Sequence, residues 1–360
     1  MAITLSICMI VKDEESVIER CLRSVSKLAD EIIILDTGSS DRTMEIAKNF
    51  NVSLYQHPWG NDFSEARNIS YSKASCDYIM WMDADDDIEE EDIEKLLVLK
   101  ETMTKDIDVV FLSYLTDCTD TSLGFILLRD RIIRRDLNAK WVYPVHEGIE
   151  ISPYYNTLYR ADIIIHHRKL RENEKRRNIS IFDKAVDKGF IMNDFNKAFY
   201  CRELSMNEEY EKAIDLYEKI KKEGAPYKDI HYARFFYVES MKKLKRYTQL
   251  ANVLEEEAGV FPEDENLYCF LGDALLWSKK EEEAEKYYLK ALETKVDLSD
   301  LCMHDRMCHV FLPCVRLANI YARRGNTDKA LAYYEKGKAL CPSSPLILHN
   351  EAYFEKLKKR

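Results

Sequence analysis

The 360-residue chain contains no apolar run that approaches the roughly 18 residues of a membrane-spanning helix. Its apolar N-terminus lacks a preceding basic region and is cut short by Lys12, Asp13 and Glu14, so we expect a buried strand there and no signal peptide. Basic residues are not in excess either, because 53 Lys and Arg stand against 64 Asp and Glu, for a net charge of −11. Non-specific nucleic-acid binding requires neutralised phosphates. We therefore expect neither a membrane span nor a nucleic-acid partner.

The ten cysteines include no Cys-x-x-Cys pair. In a chain this large, scattered cysteines predict reduced thiols and a cytoplasmic location. Hydrophobic residues make up 46% and charged residues 32% of the chain, which excludes a disordered chain, a fibre or a continuous coiled coil. The length predicts two domains.

The N-terminal part, residues 1–168, alternates apolar runs of strand length with helical stretches. Strands are predicted at 6–11, 31–35, 52–55 and 78–82. This alternation predicts βαβ units and an α/β domain with a Rossmann-like, mostly parallel sheet. Ligands of such sheets bind beyond the carboxyl ends of the strands.

Polar residues follow three of these strands at the point where each one ends. They are Lys12 to Glu14, then Asp36, then Asp83 and Asp85. We expect them to converge on one crevice. Paired carboxylates suit a divalent cation that bridges a diphosphate, because Mg²⁺ and Mn²⁺ prefer hard oxygen ligands. A solvated acidic loop is the alternative interpretation.

After residue 168 a charged linker or helix is predicted over 169–194, and nearly continuous helix follows. Related segments recur around Ala213, Leu250 and Ala284, about 34 residues apart, which is the period of tetratricopeptide repeats. A longer interval before Ala330 predicts an insertion near 296–312. We therefore predict an all-α, tetratricopeptide-like solenoid over 195–360, a surface suited to peptides.

Together, the motifs of residues 3–168 resemble family-2 glycosyltransferases of the GT-A fold. The motifs lie, in order, at 6–15, 21–25, 34–43, 63–68 and 82–86. The resemblance implies an inverting enzyme that takes a sugar from a nucleotide diphosphate, with UDP favoured because Asp36 suits the N3–H of uracil. It assigns the nucleotide sugar to Val11, Lys12, Glu14, Asp36, Gly38, Arg67 and Asp83, and a metal ion to Asp85. A helix cap at Asp36 and a surface ion pair at Arg67 are the alternatives.

Two later motifs lie where the resemblance places the rest of the site. Inverting transfer needs a base, which we leave between His146 and Glu147 with a preference for Glu147. The strand-like run at 163–168 ends in His166 and His167, one of which is implied as a metal ligand, since alternation on a strand lets only one point at the site. Imidazole ligation favours Mn²⁺ over Mg²⁺.

The fused repeats favour a polypeptide acceptor, and the arrangement resembles the sublancin-type peptide S-glycosyltransferases. We therefore expect a metal-dependent enzyme that moves a sugar from UDP to a Ser, Thr or Cys side chain of a peptide or protein recruited by the repeats. A cell-surface or lipopolysaccharide-type glycan is the runner-up acceptor, and a catalytically dead interaction scaffold is the alternative from another class. The sugar, the acceptor atom and the oligomeric state, a homo-oligomer included, stay open.

Overall fold

The apolar runs of the N-terminal part form strands of one sheet. The computed structural model describes residues 2–170 and 176–359. Contacts divide the chain into unit 1, Met1–Leu115 with Leu128–Glu203, and unit 2, Thr116–Leu127 with Leu204–Arg360. The strands up to residue 167 are β1 Leu5–Val11, β2 Glu31–Asp36, β3 Ser53–Gln56, β4 Tyr78–Trp81, β5 Asp86–Ile88, β6 Val109–Thr119, β7 Ser122–Arg134, β8 Trp141–Val142, β9 Gly148–Ile149 and β10 Thr157–His167.

The large sheet is parallel on one side and mixed on the other. Its strand order is β3-β2-β1-β4-β7-β6-β10-β5, and β8 pairs separately with β9. Strand β1 runs parallel to β2 and β4, and β2 runs parallel to β3, whereas β7 is antiparallel to β4 and β10 is antiparallel to β5. The first four strands therefore form the Rossmann-like half that the sequence predicts, and their carboxyl ends meet at one edge.

The first three helices of unit 1 connect its parallel strands, and the later ones follow strands β5 and β10. They are α1 Ile18–Val25, α2 Thr43–Ala47, α3 Phe63–Tyr71 and α4 Glu90–Thr102, followed by α5 Arg177–Asp187 and α6 Asp194–Met206. The apolar positions of α1 recur at helical spacing, so Ile18, Cys21, Leu22 and Val25 are all buried on one face. Asp62 caps α3 by accepting a hydrogen bond from the Glu65 backbone N–H, which fixes where the helix carrying Arg67 begins.

Unit 2 is built from antiparallel helix pairs. Its helices are α7 Tyr210–Lys222, α8 Tyr227–Lys243, α9 Tyr247–Val260, α10 Glu265–Trp277, α11 Glu281–Glu293, α12 Leu312–Arg323, α13 Thr327–Leu340 and α14 Pro345–Leu357. The predicted insertion near 296–312 contains a short strand, β11 His304–Asp305, which pairs with Phe125 and Ile126 of β7. The tip of the β6–β7 hairpin thus belongs to unit 2.

The division between the units differs from the predicted boundary at residue 195. Unit 1 continues to Glu203, inside α6. The reason is apolar contact, because Phe182 of α5 and Phe199 of α6 pack in a cluster with Val145. The predicted linker 169–194 contains helix α5, while its residues 171–175 lie outside the described part of the chain. Within residues 2–170 and 176–359, no helix is both long and apolar enough to cross a bilayer.

Candidate active site

The turns after β1 and β2 are hydrogen-bonded to each other. Val11 is paired in register with Asp36, and its carbonyl accepts a hydrogen bond from the Thr37 N–H at 2.9 Å. The Ser39 hydroxyl accepts from the Asp13 N–H at 2.9 Å, and the Thr43 hydroxyl accepts from the Glu14 N–H at 2.7 Å. The structure therefore brings together the backbone of the predicted nucleotide-binding residues, and the Lys12 side chain is exposed beside them.

The Asp36 carboxylate organises its own turn. It is buried and accepts hydrogen bonds from the Gly38 N–H at 3.2 Å and the Ser39 N–H at 3.1 Å. Gly38 has a φ of +108°, a conformation that L side chains rarely adopt, so this turn needs glycine. The predicted contact of Asp36 with a base stays a prediction.

Two carboxylates and one imidazole meet where β4 leads into β5. His167 Nδ1 lies 3.4 Å from Asp85 Oδ1 and 3.2 Å from Asp86 Oδ1. Ligand atoms of these three residues all lie within 4.8 Å of one another, a geometry that can hold a metal ion. His166 points elsewhere, with Nε2 3.7 Å from Glu89, because successive side chains alternate on β10.

The Asp86 carboxylate links the residues around this cluster through hydrogen bonds. Its Oδ2 accepts hydrogen bonds from the Asp83 N–H at 3.1 Å and from Arg131 Nη1 at 2.9 Å, and its Oδ1 accepts from the Tyr114 hydroxyl at 2.9 Å. Burial favours the neutral acid at Asp86, but the charge of Arg131 and the hydrogen bond of His167 outweigh it and lower the pKa of this carboxyl to about 2.

The two neighbouring groups titrate differently. Burial raises the pKa of the Asp85 carboxyl to about 6, although the His167 charge opposes the shift. At His167 burial acts to lower the pKa, but the hydrogen bond to Asp86 and the charge of Asp85 prevail and raise it to about 9. The Asp86 carboxylate and the charged His167 imidazole therefore stabilise each other, whereas burial disfavours the charged form of Asp85. A cation would bind here in competition with the His167 proton.

Arg67 joins two further acidic residues. Its Nη2 donates to Asp83 Oδ1 at 2.8 Å and its Nε donates to Glu147 Oε1 at 2.6 Å. The guanidinium is buried beside two indoles that contact each other, with its Cζ 5.1 Å from the Trp81 ring centroid and 4.7 Å from that of Trp141. Arg67 thus fixes the distance between the Asp-x-Asp turn and the loop of Glu147. Its predicted contact with a diphosphate stays a prediction.

His146 and Glu147 are neighbours in sequence but have different surroundings. Glu147 contacts Arg67, whereas His146 Nε2 lies 2.8 Å from Glu203 Oε1 of α6. Burial lowers the pKa of His146, although the Glu203 hydrogen bond acts against this. Sequence reasoning missed Asp86, Arg131 and Glu203. Asp86 adjoins the Asp-x-Asp motif and could have been found there, but Arg131 and Glu203 carry no local signal.

A half-parallel sheet with an Asp-x-Asp turn at the carboxyl end of one of its strands is the arrangement that the sequence predicts for a GT-A domain. Residues 6–148 match the profile of glycosyl transferase family 2, and residues 265–295 and 312–344 match tetratricopeptide repeat profiles. The chain therefore carries a family-2 glycosyltransferase domain followed by tetratricopeptide repeats, which confirms the prediction from the motifs.

The comparisons also find individual relatives. The chain is 30% identical over 229 residues to the SPbeta prophage-derived glycosyltransferase SunS of Bacillus subtilis, covering 60% of this chain and 53% of the relative. This match supports the resemblance to sublancin-type enzymes. A TPR repeat-containing protein of Synechococcus elongatus is 47% identical over 83 residues, which are 23% of this chain and 21% of that protein. The chain thus spans about half or less of the length of these relatives.

Among solved structures, glucosyl-3-phosphoglycerate synthase from Mycobacterium tuberculosis in complex with Mn²⁺, UDP-glucose and phosphoglyceric acid aligns at 19% identity. The alignment covers 54% of this chain and 82% of that one, with a TM-score of 0.39.

Proposed function

We propose that this protein is an inverting, metal-dependent glycosyltransferase that moves a sugar from a UDP-sugar to a peptide or protein side chain. The observation that carries the proposal is the cluster of Asp85, Asp86 and His167 beside the end of β4, with both aspartates inside the family-2 match at residues 6–148. A cluster of this kind at the strand ends of a half-parallel sheet is where a nucleotide ligand would be held.

The donor atoms fit a divalent cation. Two carboxylates and one imidazole lie close enough for a single ion, and this mixed oxygen and nitrogen set favours Mn²⁺ over Mg²⁺. Asp85 and His167 would hold the ion, and Asp86, which contacts the same His167 Nδ1 as Asp85, would keep the imidazole in place. When bound, the ion would supply positive charge to the departing diphosphate. His166, beside Glu89, is the weaker of the two histidine candidates.

Other residues of the chain would bind the nucleotide and deprotonate the acceptor. The backbone at Val11 and the turn of Asp36 and Gly38 would line the nucleotide. Glu147 is our preferred base, because Arg67 fixes its carboxylate beside Asp83 while 12% of its side chain remains exposed. His146 is turned toward Glu203 and is the weaker choice. In-line attack of an acceptor deprotonated by Glu147 would invert the anomeric centre.

The acceptor proposal rests on the repeats and on the similarity to SunS. Tetratricopeptide repeats offer extended surfaces for polypeptides. A reducing cytoplasm is the proposed location, since the ten cysteines are scattered along the chain and include no Cys-x-x-Cys pair. A glycan acceptor is retained as an outcome of the test below.

The test is mass spectrometry of the full chain incubated with UDP-sugars, Mn²⁺ and candidate peptides or glycans. We expect a hexose mass added to a peptide, and release of UDP that is lost in Asp85→Asn. The exposed Glu101 of α4 provides the control, since Glu101→Ala should retain turnover. Transfer to a glycan alone would make a glycan, and not a peptide, the proposed acceptor. An absence of UDP release together with no rise in melting temperature with UDP would favour a catalytically dead interaction scaffold.

A further inference from the structure

The loop that carries Glu147 has a backbone conformation that its residues do not favour. Tyr143 has a φ of +75° and His146 a φ of +52°, both in the left-handed region that non-glycine side chains rarely adopt. Such conformations persist only when the surrounding structure holds them. Something outside the loop must therefore fix residues 143–147.

Helices α5 and α6 and the residues between them supply these contacts. The Tyr143 hydroxyl accepts a hydrogen bond from Asn193 Nδ2 at 2.7 Å, and its ring centroid lies 5.5 Å from that of Phe195. Val145 is buried in one cluster with Ile181 and Phe182. Tyr143 and Val145 are thus both held by contacts with a segment that begins after residue 148, where the family-2 match ends.

His146 has the most specific of these contacts. Its ring stacks on Phe199 at 4.4 Å between centroids and an interplanar angle of 20°, and its Nε2 lies 2.8 Å from Glu203 Oε1. Glu203 is itself fixed, because Oε1 also accepts hydrogen bonds from Asn178 Nδ2 at 3.3 Å and Arg202 Nη1 at 2.6 Å. The next residue along the loop is Glu147, whose carboxylate contacts Arg67 at 2.6 Å.

We propose that residues 177–203 are part of the catalytic unit, and that Glu203 is a positioning residue that acts through His146 to hold the Glu147 carboxylate in place. The inference deepens the proposed function and rests on it for the role of Glu147. It extends the working domain beyond the family-2 match at residues 6–148, into the predicted linker and the start of the predicted repeat region. A misplacement of about 1 Å at a reacting group can reduce turnover roughly 100-fold.

The first test is kinetic and uses the full chain. Glu203→Ala should lower kcat for UDP-sugar turnover about 10- to 100-fold with less than a twofold change in the KM for the sugar donor. Glu203→Gln keeps a carbonyl oxygen for the His146 N–H and should restore kcat to within about threefold of the wild type. In a Glu147→Gln background, Glu203→Ala should have no further effect, because both act through one group. Additive losses would overturn the proposal.

The second test does not need activity, so it separates this inference from the proposed function. Amide hydrogen exchange in the peptide covering residues 143–148 should become at least tenfold faster in Glu203→Ala and remain unchanged in the control Glu101→Ala, an exposed position of α4 outside residues 177–203. If the wild type shows no UDP-sugar turnover, the proposed function fails while the exchange result still decides whether α6 holds the loop. Unchanged exchange in Glu203→Ala would overturn the proposal whatever the kinetics. If Glu203→Ala does not fold, Phe199→Leu takes its place in both tests.

Discussion

Arg131 and Asp86 form a 2.9 Å ion pair in which neither side chain is exposed to solvent. The Arg131 guanidinium lies between two rings, with Cζ 3.5 Å from the Trp81 centroid and 4.2 Å from the Tyr114 centroid. The same Asp86 carboxylate contacts the Asp83 N–H and His167. The proposed metal site therefore depends on the buried guanidinium of Arg131, which would not contact a substrate.

Replacing Arg131 by Met should lower the free energy of unfolding of unit 1 by about 3–5 kcal/mol, because Asp86 would be left buried without a counter-charge. Urea denaturation followed by tryptophan fluorescence measures this, since Trp59, Trp81 and Trp141 all lie in unit 1. The control is Arg160→Met, which removes a partly exposed pair with Asp162 and should cost less than about 1 kcal/mol. Equal losses in the two variants would contradict the special role of Arg131.

Replacing Glu147 by Gln should lower turnover about 100- to 10,000-fold, the range that a positioned general base contributes. The affinity for UDP should stay within twofold of the wild type, because the amide oxygen still accepts a hydrogen bond from Arg67 Nε. Steady-state kinetics and UDP titration calorimetry check the two parts. Glu150→Gln, an exposed change in the same segment, is the control. Near-normal turnover in Glu147→Gln would move the base elsewhere.

The parallel half of the fold could be predicted because its signals are local. Strands β1, β2 and β4 are apolar runs that each end in acidic residues, and the register of β1 with β2 brings Val11 beside Asp36 as expected. The helix pairs of unit 2 could also be predicted, since alanine and tyrosine recur at the repeat period. These patterns need no knowledge of distant contacts.

The supports of the site could not be predicted, because each one joins segments far apart in the chain. Arg131 reaches Asp86 across 45 residues from a strand in which arginines alternate with other residues, so nothing marks it as buried. Glu203 reaches His146 across 57 residues from a segment that the sequence assigns to the repeat domain. Only the folded structure, in which each side chain meets its distant partner, distinguishes these charged residues from the solvent-exposed ones.

The packing of α10 on α11 depends on Gly272. A Cβ at this position would lie 2.7 Å from Tyr288 Cε1, and the ring cannot move away easily because its hydroxyl donates to Asp273 Oδ1 at 2.5 Å. Gly272→Ala should destabilise unit 2 by about 1–3 kcal/mol through overpacking. Gly259→Ala in α9 has no atom within 4 Å of the added Cβ and should be neutral or stabilising by up to about 1 kcal/mol.

Guanidinium unfolding followed by circular dichroism at 222 nm compares the two alanine variants with the wild type. The two substitutions introduce the same methyl group into helices of the same unit, so the helix propensity of alanine cancels in the comparison. A loss of stability in Gly259→Ala as large as in Gly272→Ala would show that close approach to Tyr288 is not the cause.

His304 makes the stability of unit 2 depend on pH. Its Nδ1 lies 2.8 Å from Glu265 Oε1 and its Nε2 lies 3.2 Å from Asp300 Oδ1. Burial acts to lower the pKa of this imidazole, but the hydrogen bonds to Asp300 and Glu265 outweigh burial and raise it to about 9. Since the folded pKa lies above that of the unfolded chain, near 6.5, the charged His304 stabilises the fold fully below about pH 6.5.

That contribution should be lost as the pH rises from about 6.5 through 9. The difference in unfolding free energy between the wild type and His304→Gln should therefore shrink by about 3 kcal/mol between pH 6 and pH 9.5. Denaturation curves at the two pH values measure it, and the exposed His349 of α14 provides His349→Gln as the matched control. A difference that stays constant or grows with pH would show that His304 is held neutral in the folded protein, where its single N–H can donate to only one of its two carboxylate partners.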